Sequence, residues 1–282
     1  MNTTNHHEPI RRVLLALDTA AYSLAAVEAA AAFAAVLDAE LHALFVEDIN
    51  LLRLAALPFA RETRLTSAST RRLQNLDTER ALRAEATRAQ AALQTVATRL
   101  NVRWSFHVTR GQVAAQVHAA ALETDLVALT ISGGVPAGLT QFAATIETVM
   151  RSVPCPFLIL PPGSGIRPPF VVVYDGSAAS ARALQLAAQL ALAQDVSVTV
   201  LLAAMDLPEL RRLRAGADSL LAGSKLIAHY PVLARMDAIT IARAVRTASA
   251  GTLLMAAESP VFDGVARRRL LEELDCAALL TR

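Results

Sequence analysis

Residues 170–184 read FVVVYDGSAASARAL. An apolar run this short, followed by Asp175, Gly176 and Ser177 and then by an Ala-rich segment of helical period, spells a buried strand, a turn and a helix. The same plan stands near the start of the chain, where 13–18 read VLLALD and an Ala-rich helix is expected over 21–36. Strands with no polar face need cover on both sides, which is the condition of a parallel sheet between two layers of helices. Outward from these two starts, apolar runs alternate with helical segments: 41–46, 103–109, 126–130 and 157–160 in the first half, with a helix expected over 140–152, and 252–255 and 277–280 in the second. Asp275-Cys276 before the last run matches Pro154-Cys155-Pro156 before 157–160. Between the copies PPGSGIRPP, residues 161–169, gathers the residues that punctuate structure, so the expected domains are 1–162 and 163–282. The second copy is the shorter, chiefly after its second strand, where 205–224 answer to 50–100 of the first.

Bulk properties exclude several functions. With 27 basic and 25 acidic residues no global field draws the chain to nucleic acid or anionic lipid, and aromatics at 4% leave few platforms for stacking bases. Charges break the apolar stretches before about 18 residues accumulate, so no membrane span is expected. Residues 1–10 are polar and lack the apolar centre of a signal peptide, and the two cysteines lie far apart; a cytoplasmic location is the expectation. His6, His7 and Glu8 read as solvated tail, Cys155 and Cys276 as small buried hydrophobes, and His107, His118 and His229 as structural. No Cys-x-x-Cys, Walker loop or Gly-x-Ser-x-Gly elbow is present. The stretch 61–100 is the most charged; it reads as a long exposed helix with Glu79 and Arg83 four apart, and as the preferred partner-binding surface.

VLLALD at 13–18, LHALFVED at 41–48 and VPCPFLIL at 153–160 resemble a universal stress protein domain. The resemblance implies an α/β fold of two tandem Rossmann-like domains, each a five-stranded, mainly parallel sheet of order 3-2-1-4-5 flanked by helices. It also implies an internal pseudo-dimer joined through the last strands, 157–160 and 277–280, which covers an otherwise open sheet edge. Members that hold ATP bind it where the first and fourth strands part. They carry an Asp after the first strand, a backbone contact on the second, and a loop reading Gly-x-x-Gly, nine residues, then Gly-Ser or Gly-Thr.

Here Asp18 and Val46 match the adenosine side, and the loop pattern falls on Thr130, Gly133, Ala143 and Ala144. Only Gly133 fits. Thr130 puts a β-branched side chain where the backbone should turn closely, and Ala144 lacks the hydroxyl that would bond a phosphate. In the second copy Glu258 and Asp263 fall near the place of phosphate charge, with Arg267, Arg268 and Arg269 to offset them. The expectation is a stress-response accessory or signalling protein that acts through a protein partner or self-association, with a decayed ATP site and no cofactor. The alternative is an adenine-nucleotide sensor holding ATP or AMP in the first domain. No general base or metal-binding carboxylate pair stands beside the loop, which argues against an enzyme and leaves weak ATPase activity open.

Overall fold

In β1 (Arg12–Leu17) successive side chains go to opposite faces of the sheet, and both faces are covered: Val13, Leu15 and Leu17 enter one core and Leu14 and Ala16 the other. This is why the strand is apolar without alternation. The structure, a computed structural model, describes residues 10–17, 24–57, 61–63, 70–72, 75–130, 148–150, 153, 155–161, 163–204, 206–231, 233, 237–259, 269–271 and 273–282, the side chains of 61–76 and of Thr130 excepted.

After β1 come α1 (Leu24–Val36), β2 (Glu40–Asp48), α2 (Ile49–Ala55), the short strands β3 (Arg61–Thr63) and β4 (Thr70–Arg72), and α3 (Asn75–Leu100). They are followed by β5 (Trp104–Gly111), α4 (Val113–Ala121), β6 (Leu126–Thr130) and β7 (Phe157–Leu160). The second half runs β8 (Phe170–Tyr174), α5 (Ala178–Ala193), β9 (Val198–Leu202), α6 (Leu207–Leu221), β10 (Ala228–His229), α7 (Ala238–Thr247), β11 (Thr252–Ala256) and β12 (Ala277–Thr281).

Ten strands form one sheet in the order β10-β9-β8-β11-β12-β7-β6-β1-β2-β5. Counted within each half, both read third, second, first, fourth, fifth, and every pairing inside a half is parallel. The halves meet where β12 and β7 pair antiparallel, with Leu279 opposite Leu158. These are the two strands that the sequence marks as the last of each copy. Each of the two buried clusters, one per face of the sheet, draws residues from both halves. Among the described residues no helix is long and apolar enough to cross a membrane.

Small side chains set the helix-to-sheet distance. On α1 Ala26, Ala29, Ala30, Ala31 and Ala34 are buried along with Val27 and Phe33, and Arg99 from α3 pairs with Glu28 at 3.0 Å. Helices α1, α3, α5 and α7 are each followed by a left-handed residue that is not glycine: Asp38, Asn101, Asp195 and Ser249, with φ between 47° and 53°. Asp38 and Asp195 stand at matching places in the two halves, so the same helix stop is used twice.

The stretch 61–100 departs from the expected single exposed helix. Arg61 pairs with Arg72 in a β-hairpin, and the helix begins only at Asn75. One stripe of α3 is core: Leu82, Ala86, Ala89, Leu93, Val96 and Ala97 are buried, while Arg80, Arg83 and Arg88 face solvent. Glu79 turns to Arg110 on β5 at 3.3 Å and not to Arg83. The second half has its own helix at this place, α6, lying between its second and third strands as α3 does in the first. What the first half adds is therefore α2 and the hairpin, and its crossover helix is longer. The helix expected over 140–152 falls mostly outside the described residues, of which 148–150 are helical.

Within 161–169, Pro161, Ser164, Arg167 and Pro169 are tied by hydrogen bonds. Ser164 donates to Pro161 O at 2.7 Å, the Thr252 hydroxyl bonds both the N–H and the carbonyl of Arg167, and Gly251 N–H meets Pro169 O at 3.0 Å. A Cβ on Gly251 would lie 2.2 Å from Arg167 O and 2.6 Å from Pro168 O, both backbone atoms that cannot swing aside. Gly251→Ala should therefore destabilise the protein by about 1–3 kcal/mol in urea unfolding. Gly165→Ala, whose Cβ would meet only Ala29 at 3.9 Å, should be near neutral; equal losses would show that the segment yields freely.

Candidate functional site

A doubly wound sheet leaves a crevice at the carboxyl end wherever neighbouring strands send their connections to opposite faces. Here there are two such places, between β1 and β6 and between β8 and β11. The strand register makes them comparable: Val13 lies beside Leu126 in the first half and Phe170 beside Thr252 in the second. Counted from these pairs, Asp175 occupies the place of Asp18, Ala256 that of Thr130 and Ser259 that of Gly133.

In the second half the Asp175 carboxylate is bonded on both oxygens. Oδ1 accepts the Ser177 N–H at 2.9 Å, and Oδ2 accepts the Ser259 hydroxyl at 2.6 Å. Ser177 also caps α5, its Oγ accepting from Ser180 N–H at 3.1 Å, and the fully buried Ser180 accepts the Asp175 N–H at 3.3 Å. Burial works to raise the Asp175 pKa, yet the hydrogen bonds from Ser177, Ser259 and Ser180 outweigh it and hold the carboxyl below the ordinary aspartate value. Burial, with the Asp175 charge adding to it, pushes the neighbouring Tyr174 hydroxyl up. Above this turn Arg212 of α6 pairs with Glu209 at 3.5 Å.

In the first half Asp18, Gly133, Ala143 and Ala144 lie outside the described residues, and of Thr130 only the backbone is described, paired with Leu160 at the end of β6. Val46 is placed: it is buried with its side chain in the core, opposite Thr109 of β5. Only its backbone is thus left for a ligand. The next residue, Glu47, is buried and takes both Nε and Nη2 of Arg110 on one oxygen, at 2.9 and 2.8 Å. Hydrogen bonding and charge from Glu47 raise the Arg110 pKa further. With Glu79 on its other nitrogen, Arg110 joins β2, β5 and the first turns of α3 beside the strand end where Val46 sits.

Sequence reading missed Ser259 and the Glu47–Arg110–Glu79 network. For Ser259 a signal existed, since counting from the paired strand starts lands it on Gly133. For the network there was none, because nothing in the sequence says that residues 47, 79 and 110 meet. Cys155 and Cys276 are free and buried, and desolvation pushes both thiols up to about 11.

A family model described as the universal stress protein family matches residues 9–161. Among solved structures, a universal stress protein from Archaeoglobus fulgidus superposes with a TM-score of 0.68 at 14% identity, covering 95% of this chain and 97% of its own. A Pseudomonas aeruginosa protein gives 0.57 at 16% identity, with 96% and 92% covered. The cytoplasmic domain of a prokaryotic cation chloride cotransporter gives 0.53 at 12%, with 96% and 95% covered. At these identities the likeness is one of fold. No curated protein matches the chain.

The depressed Asp175 pKa carries a sign. A carboxylate held below its unfolded value adds stability above that value, and the contribution is lost as pH falls through the folded value. Asp175→Asn should therefore be less stable than the parent at neutral pH, with the gap closing below about pH 4, where the unfolded aspartate takes up its proton. Urea unfolding across that range checks it; a gap that is constant with pH would contradict the charge-assisted network.

Proposed function

The chain belongs to the universal stress protein family, and from that premise we propose that it is a stress-response accessory or signalling protein of the cytoplasm, acting through a protein partner or self-association in place of nucleotide chemistry. The observation that carries this reading is the state of Asp175. At the position where a nucleotide-holding member offers a free carboxylate, both oxygens are engaged by the chain's own Ser177 and Ser259. The first half adds to it, because Thr130, Ala143 and Ala144 stand where the phosphate pattern asks for Gly, Gly and Ser or Thr. One lost hydroxyl is worth about 1–3 kcal/mol, and three departures in four positions remove most of what would hold a triphosphate.

The partner surface on this reading is the solvent face of α3, where Arg80, Arg83 and Arg88 are exposed over a buried apolar stripe. A free surface of this kind can change without disturbing the core beneath it. The second reading, an adenine-nucleotide sensor working through the first half, is favoured by one feature: the Val46 side chain turns into the core and leaves its backbone at the strand end.

Calorimetric titration separates the two. ATP and AMP should bind no tighter than about 100 μM, or about −5.5 kcal/mol. Low-micromolar binding would overturn the decayed-site reading in favour of the sensor. In the same preparation Arg80→Ala with Arg83→Ala should leave the thermal midpoint unchanged, exposed charges being worth less than about 1 kcal/mol each, and should weaken self-association or capture of the native partner at physiological salt.

A further inference from the structure

The ten-stranded sheet has two outer strands, β10 and β5, and the chain leaves these two edges in opposite states. At one end β10 holds only Ala228 and His229, and Pro231 follows it closely. Tyr230, between them, is drawn off to α6, where its hydroxyl donates to Asp218 and Arg214 lies over its ring at 5.0 Å. A short strand followed by proline is an edge blunted against pairing. At the other end β5 runs for 8 residues, Trp104–Gly111. It holds no Pro and no Lys, and its register on β2 is unbroken from Leu41–Trp104 to Asp48–Gly111, so no bulge twists it away.

Which backbone groups of β5 face outward follows from the ladder. Leu41 N–H bonds Arg103 O at 2.9 Å, so the odd-numbered residues turn to β2, and Trp104, Phe106, Val108 and Arg110 turn their N–H and C=O away. Among the described residues none of these four makes a backbone hydrogen bond on that side. Val108 is 51% exposed, and His107 and Arg110 beside it are exposed. A charge on an edge ordinarily guards it, but the Arg110 guanidinium is already taken by Glu47 at 2.8 Å and Glu79 at 3.3 Å. Trp104, Phe106, Val108 and Thr109 are all residue types that favour a paired, pleated surface.

We propose that β5 is the interface with a second copy of this chain, pairing antiparallel with its own counterpart so that the two sheets run together. A two-fold axis at Val108 sets Val108 opposite Val108, Phe106 opposite Arg110 and Trp104 opposite Gln112. No like charges then meet, and the outward groups of residues 106, 108 and 110 bond one another. The protein already uses this geometry internally, where β7 and β12 pair antiparallel. Because β10 is blunted, the assembly closes as a dimer and does not grow into a filament. This rests on the self-association reading above and gives it a surface, leaving the solvent face of α3 to a different partner.

Sedimentation equilibrium of the full chain, the parent beside Val108→Pro and Val108→Lys, tests this. The Val108 N–H points away from β2, so proline there removes an outward donor and leaves the β2 ladder whole. Lysine keeps the strand and sets two like charges on the axis. The parent should be a dimer at tens of micromolar chain, and both variants should be monomers there, with dimer affinity lowered at least about tenfold. Lysine at this exposed place should leave urea unfolding unchanged in dilute samples, where parent and variant are both monomeric; if the proline variant does not fold, the lysine variant decides. A monomeric parent, a parent that grows past the dimer with concentration, or a folded variant as dimeric as the parent would each overturn the proposal. Self-association that survives Val108→Lys but is lost in Arg80→Ala with Arg83→Ala would overturn it and leave the self-association reading standing.

Discussion

Everything in this structure depends on the backbone pairing of β7 with β12. Both strands are buried along their length, and both are the fifth strand of their half. Taken alone, each half would end in an apolar edge of open N–H and C=O groups, which has no stable place either in water or in a core. Antiparallel pairing of the two satisfies both at once, because a fifth strand rotated by half a turn presents its free edge to its own copy. The cost of such an edge explains why the two halves share one sheet and why each core cluster crosses from one half to the other.

That junction also frees the halves to diverge. Once the shared sheet is secured, each half can carry its own polar groups near its switch point. At the second, the polar groups around Asp175 are satisfied by Ser177, Ser180 and Ser259. Beside the first, the rim is held by an ion network, Glu47 to Arg110 to Glu79, in which the most buried carboxylate has the closest partner. The linker follows the same logic, since its Arg167 and Pro169 are tied to the start of β11 by Thr252 and Gly251.

The fold was legible because its signals are local. VLLAL, FLIL and FVVVY are strands with no polar face, and each was placed to within a residue by burial alone. The helix over Ala178–Ala193 follows from its Ser177 cap and its alanines. The stretch 61–100 was misread because charge density was taken for exposure, whereas Leu82, Ala86, Ala89 and Leu93 recur at helical spacing among those charges and mark a buried stripe. The hairpin at Arg61–Thr63 and Thr70–Arg72 has no apolar alternation to announce it. At the site, Asp18 and Val46 were read from the motif and Asp175 as the repeat counterpart of Asp18, but Ser259 acts through a contact 84 residues away, which shows only once the sheet brings β8 and β11 together.

Native-state hydrogen exchange at the amides that bridge β7 and β12 tests the central claim most directly. If the two halves are one sheet, Ile159, Ala278 and Leu280, whose amides face across the β7–β12 junction, should exchange only by global unfolding, as slowly as the amides of β1 and β8 and with the same denaturant dependence. Rapid exchange of these three while β1 and β8 stay protected would mean that the halves fold and open as separate bodies, and would contradict it.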